Sequence, residues 1–265
     1  MSHFGGLIWL ISGALLQIFI LLLWSAAYIA SSMSELLLLA CFLICLIGNY
    51  RKRYIFKRAI LNRAIVKDSA MESISRGVLT SFIPSLIVSS LSVLSVSYVF
   101  LVAEWKMIAY FLLVACLFSV LTWILAGLLL GQMRPPFREA TALNWSMFLV
   151  GSVFSALYAF WIFNYAPTPE WCDSLNLEAA GTAAFRDLPT GQFTLLNEIF
   201  SYYRTIEFIS WCAQLPGGAA SRFRVFAIVL QSLYTFFGLV LLLASCQMAA
   251  MDARAAFFGA EGLEH

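Results

Sequence analysis

Long apolar runs follow one another through this chain, most of them about twenty or more residues without a charge. In hydrocarbon a chain must satisfy its own backbone polar groups, so only a helix or a closed barrel can cross. The sequence is 62% hydrophobic and 11% charged, against roughly 45–50% and 25% in soluble domains. It lacks the series of roughly ten-residue alternating segments that a barrel needs. The expectation is an all-α integral membrane protein: a six-transmembrane-helix bundle with a cytoplasmic helical extension and an exoplasmic amphipathic-helix cap.

The spans are read as Gly6–Ala30, Leu36–Tyr50, Val78–Ala103, Met107–Leu130, Leu143–Asn164 and Arg224–Met251. Leu36–Tyr50 is the shortest, below the usual minimum of about 17 residues. No proline interrupts the pattern from Glu35 to Arg76, so a helix begun at Leu36 can leave the membrane and continue. In the third span Pro84 should kink the helix unless it falls at its start.

Orientation follows from Asn49–Arg76, which holds eight of the sixteen Lys and Arg residues. The positive-inside bias puts this stretch in the cytoplasm. Arg134 and Arg138 then fall in a second cytoplasmic turn, and both termini are cytoplasmic, in a membrane read as a bacterial inner membrane. The segment between Tyr165 and Ala220 carries six acids and two bases and falls on the exoplasmic side. Its first half is rich in turn residues. From Gln192 to Gln214 it reads as an amphipathic helix, with Arg204 on the polar face and Glu207 on the wrong side of the pattern.

The chain divides accordingly into a hairpin (1–50), a basic helical segment (51–77), three spans (78–164), an exoplasmic loop (165–223), and a last span with its tail (224–262). Residues 263–265 read as the start of a vector-encoded tag. The spans of the two halves have unlike loops and no internal repeat.

Chemistry is sparse. His3 and His265 are the two histidines, which leaves no material for a multi-histidine metal site and makes a Ser-His-Asp triad improbable. No phosphate loop or HExxH motif occurs. The expectation is a protein that is not an enzyme and binds no cofactor or metal. No span interior carries an ionisable acid or base, which disfavours an ion-coupled carrier.

Ser81, Ser85, Ser89, Ser92 and Ser95 fall within about 120° of the third helix and are the pore-lining candidates. The same stripe could equally serve close packing. Gly127–Gly131 forms a GxxxG pattern, and Gly151, Ser155 and Ala159 a second small-residue stripe.

Arg51, Lys52, Arg53, Lys57, Arg58, Arg63 and Lys67 are candidate contacts for anionic lipid head groups or for a partner. The lipid bilayer is the expected partner, with further copies of the chain or a membrane complex, and no nucleic acid. Cys172 and Cys212 are candidates for a disulfide across the loop. Cys41, Cys45, Cys116 and Cys246 are read as small hydrophobes. The functional expectation is a channel or pore subunit for ions or small solutes with the third span lining the path. The alternative is a non-catalytic scaffold or accessory subunit of an envelope complex in secretion, defence or transport.

Overall fold

The computed structural model describes residues 3–31, 34–64, 78–165, 177–186, 188–212 and 218–258. Among these, every regular element is helical. The helices are α1 (His3–Ala27), α2 (Ser34–Ala64), α3 (Val78–Val102), α4 (Trp105–Leu128), α5 (Pro135–Asn164), α6 (Leu177–Arg186), α7 (Thr194–Cys212), α8 (Gly218–Ser232) and α9 (Gly238–Phe258). A π-helical segment, Leu233–Phe237, joins α8 to α9.

Six stretches are long and apolar enough to cross a membrane: Gly6–Ala27, Ser34–Lys57, Thr80–Val102, Trp105–Leu128, Phe137–Asn164 and Phe223–Met251. Leu16, Phe19, Leu43, Ile47, Ile87, Leu91, Phe148 and Phe160 are all exposed on the outside of the bundle. An exterior of that kind is matched to hydrocarbon and not to water. This is the make-up of a multi-pass membrane protein.

The helices are not equivalent. Just over half of the third and last spans is buried (56% each), against 28–33% of the other four. These two therefore form the centre. α9 touches α1, α2, α3, α4 and α5, and its residues Leu242, Leu243, Ala244, Ser245 and Gln247 are fully buried. Gln247 Nε2 donates to Ser119 Oγ on α4 (2.8 Å) and to the Leu10 carbonyl on α1 (3.3 Å). Such bonds can outlast apolar packing as glue, because hydrocarbon offers no competing partner.

α2 runs as one helix to Ala64, the continuation expected of a proline-free stretch, and α3 includes Pro84 within its helix. Other details depart from expectation. The apolar window of α2 runs to Lys57 instead of ending at Tyr50. A ten-residue helix, α6, occupies part of the loop read as turn-rich. Its sequence LEAAGTAAFR has four alanines, whose helix propensity outweighs the single Gly181. The GxxxG pattern makes no close contact: a Cβ added at Gly127 would meet nothing within 4 Å, and Gly131, with φ +82°, turns the chain after α4. Gly151 and Ser155 do pack, the first on Phe237 and the second through Ser155 Oγ to the Ser232 carbonyl (3.2 Å).

Candidate functional site

The serine stripe lies in the seam where α3 meets α2 and α9. Ser81, Ser85, Ser89, Ser92 and Ser95 are all buried there, and Ser97, on another face of α3, is buried as well. Small side chains let these helices approach closely. A Cβ added at Gly48 on α2 would lie 1.8 Å from the Ser245 carbonyl oxygen on α9, so the two backbones are in direct contact. At Gly238 the same addition would reach Ser95 Oγ at 2.7 Å.

Some of the hydroxyls are satisfied within the seam. Ser85 Oγ donates to the Ser81 carbonyl (2.7 Å) and Ser95 Oγ to the Ser92 carbonyl (3.1 Å). Asn49 Nδ2 on α2 donates to Ser89 Oγ (3.0 Å). Among the described residues the hydroxyls of Ser81, Ser92 and Ser97 have no hydrogen-bond partner.

Below the stripe lies the basic end of the bundle. Arg51 is exposed, Arg53 and Lys57 are half-buried, and the Lys57 ammonium donates to Thr80 Oγ1 on α3. Lys52 is not on the surface where a head-group contact needs it. It is only 6% exposed, because it shares the face of α2 that carries Asn49 into the seam. The side chains of Arg58 and Arg63, and all of Lys67, lie outside the described residues.

The opposite end of the bundle holds a polar cluster that the sequence did not show as one. Tyr98 on α3 donates its hydroxyl to Glu207 Oε2 on α7. Arg204 Nη1 pairs with the same oxygen (2.9 Å), and Arg204 Nε donates to the Ala184 carbonyl on α6 (2.9 Å). Burial works against the Arg204 charge, but the Glu207 carboxylate and the Tyr98 hydroxyl outweigh it and raise its pKa above the usual guanidinium value.

Aromatic rings wall this cluster. Tyr203 stacks on Tyr98 (5.4 Å between centroids), and Tyr234, from the π-helical segment, meets Tyr203 edge-on (5.0 Å). Beside it Tyr28 donates to Asn197 Oδ1 (2.7 Å), and Asn197 exchanges two further bonds with the Gly191 backbone. Burial raises the Tyr28 phenol above its ordinary pKa, partly offset by its bond to the Gly191 backbone.

α7 is thus rotated from the expected setting. Arg204 is buried with Leu196 and Phe200, while Leu195 is exposed. The signal was present in the sequence: Glu207 broke the amphipathic pattern because it is needed inward, opposite Arg204. Cys212, at the end of α7, is disulfide-bonded; Cys172 lies outside the described residues. Cys41, Cys45 and Cys246 are buried free thiols of the core.

Among the described residues no group of three or more His, Cys, Asp or Glu side chains is placed to hold a metal ion. An apolar groove of about 360 Å³ runs between α4 and α5, lined by Leu117, Leu121, Leu149 and Val153 among others, and opens outward. No family model, curated protein or solved structure matches the chain.

Proposed function

We propose that the protein is a non-catalytic scaffold or accessory subunit of a membrane complex. It offers partners its basic end on one side and the α6–α7 end on the other. The observation that carries this reading is the direct contact of Gly48 with the Ser245 backbone. With the Asn49–Ser89 bond beside it, the serine stripe is engaged in holding three helices together. The cluster of Tyr98, Arg204 and Glu207 likewise ties α7 to α3 and α6. Both polar features act as fasteners, which suits a rigid platform. By the positive-inside bias the basic end is cytoplasmic, as are both termini, in a bacterial inner membrane.

The second reading is a pore subunit with α3 lining the path. The unpartnered hydroxyls of Ser81, Ser92 and Ser97 favour it, since a polar lining keeps a narrow path wet.

One experiment separates the two. The wild type and the Ser85→Ala, Ser89→Ala double variant are reconstituted in vesicles, and ion flux and unfolding are both measured. For a scaffold, flux stays at the level of protein-free vesicles. The variant then loses about 1–3 kcal/mol of stability, because the buried Asn49 amide loses its oxygen acceptor and keeps only the weak Cys45 sulfur at 3.7 Å. Flux from the wild type that falls in the variant at unchanged stability would overturn the scaffold in favour of the pore.

A further inference from the structure

The last helix and α5 both run past the point where α3 and α4 end. Gly238 lies against Ser95, and Tyr234 against Tyr98, so α3 and the last helix are level along this stretch. α3 ends at Val102, four residues past Tyr98. At about 1.5 Å per residue, the last helix passes that level near Leu230. Val229 and the part of α8 before it stand beyond. α5 rises beside α8: Ser155 Oγ donates to the Ser232 carbonyl, and Arg224 lies over the Phe163 ring. Phe160 and Phe163 therefore stand beyond the same level.

That level is a membrane boundary. At the turn from α3 to α4, Glu104, Trp105 and Lys106 are all exposed. Charges flanking a Trp belong at the edge of the hydrocarbon.

Past this edge the outer face of α5 and α8 is still apolar. Phe223, Phe226 and Val229 follow one stripe of α8 at three-residue spacing, and Phe160 and Phe163 do the same on α5. These side chains are 46–68% exposed. Among the described residues of the two projecting segments Arg224 is the one charge, and it is held in place at the edge of the face. Its guanidinium lies against Phe163, and its Nε donates to the Ser210 carbonyl (3.3 Å).

Lipid tails end below this surface, and an apolar patch in polar surroundings marks an interaction site. A second copy of the chain fits it by geometry. Inserted in the same orientation, it carries the same residues at the same height. A two-fold axis along the membrane normal turns the two faces toward each other. Taking about 150–250 Å² for a Phe side chain, the four Phe residues leave on the order of 500 Å² open. That is the larger part of the roughly 800 Å² per partner that a stable interface buries. The face also continues down α5 within the bilayer, where Phe148 and Val153 are exposed.

We infer that two copies of the chain pair through this α5–α8 face. The pairing stands whether the bundle is a scaffold or a conductor, so its test and the flux test fail separately.

The test uses the full chain. In membranes, Phe226→Cys should give a covalent dimer on mild oxidation, read on a non-reducing gel. The wild type, with its own cysteines, and Leu16→Cys on the outside of α1 should not. In detergent the purified wild type should have the mass of two copies by light scattering and fall to one on dilution. Phe223→Ser with Phe226→Ser should raise the apparent dissociation constant about tenfold or more, since aromatic anchors carry much of an interface. Leu16→Ser with Phe19→Ser, comparably exposed on α1, should leave it unchanged. Circular dichroism checks that each variant keeps its helices.

The inference is overturned if Phe226→Cys yields no more covalent dimer than the wild type, or if Leu16→Cys cross-links as readily. It is overturned equally if the wild type stays a single copy at every concentration, which would mean that lipid head groups cover the face. Equal effects of the two double variants would also sink it, as the pairing would then be unspecific.

Discussion

Tyr98 and Glu207 are 109 residues apart in the chain and share one hydrogen bond. Glu207 also pairs with Arg204, three residues back on its own helix. In a site walled by Tyr203 and Tyr234 both interactions are protected from water, so each is stronger than at a surface. Removing one partner leaves the other unsatisfied. Tyr98→Phe should cost about 1.5–3 kcal/mol, the range for a bond to a charged group. Glu207→Gln should cost about 3 kcal/mol, the low end for breaking a buried pair, since the carboxylate keeps some exposure. The combined variant should lose less than the sum, because the two changes remove one shared interaction. Denaturant unfolding of the three variants in detergent measures this coupling, and additive losses would mean that the bond contributes nothing.

At the scale of elements, close approach is set by single glycines. α2 and α9 run in the same direction and meet at Gly48 and Ser245, where even a methyl group has no room. Gly127 on α4 has open space around it. The prediction is a contrast between two chemically identical changes. Gly48→Ala should destabilise by about 3 kcal/mol or more, as overpacking that only a backbone shift can relieve. Gly127→Ala should be neutral or gain up to about 1 kcal/mol from helix propensity. Unfolding midpoints of the two purified variants decide it. Equal effects would mean that α2 and α9 are not in backbone contact. The π-helical turn at Leu233–Phe237 belongs to the same scale. It lies just before Gly238 and places Tyr234 against Tyr98 and Tyr203, and Phe236 in the core.

For the whole molecule, the two polar ends face opposite ways along the bundle. Gln132, after α4, and Thr190, before α7, are both exposed. Each is separated from the other by one span, α5. Single cysteines introduced at the two positions should therefore react with a membrane-impermeant thiol reagent from opposite sides. The Gln132 side should be cytoplasmic, since it shares its end with Arg51, Arg53 and Lys57. Labelling of both from one side would remove the six-span arrangement.

The apolar runs alone determined that this chain forms membrane-length helices, and roughly where five of the six lie. Length and hydropathy are local properties, and hydrocarbon forces the backbone to pair within each segment. The stripe of serines was legible for the same reason, as a pattern within one helix. What the stripe touches was not. A span apolar on every side gives no sign of which face turns inward, because lipid and a neighbouring helix are equally apolar surroundings. Only the tertiary structure decided that α3 and α9 are central, that Gly48 packs and Gly127 does not, and that Lys52 and Glu207 point inward. In sequence Lys52 looks like its neighbours Arg51 and Arg53, while Glu207 shows only as a break in the amphipathic pattern. They differ in what α3 brings to their helices: Ser89 to Asn49, on the face that Lys52 shares, and Tyr98 to Glu207.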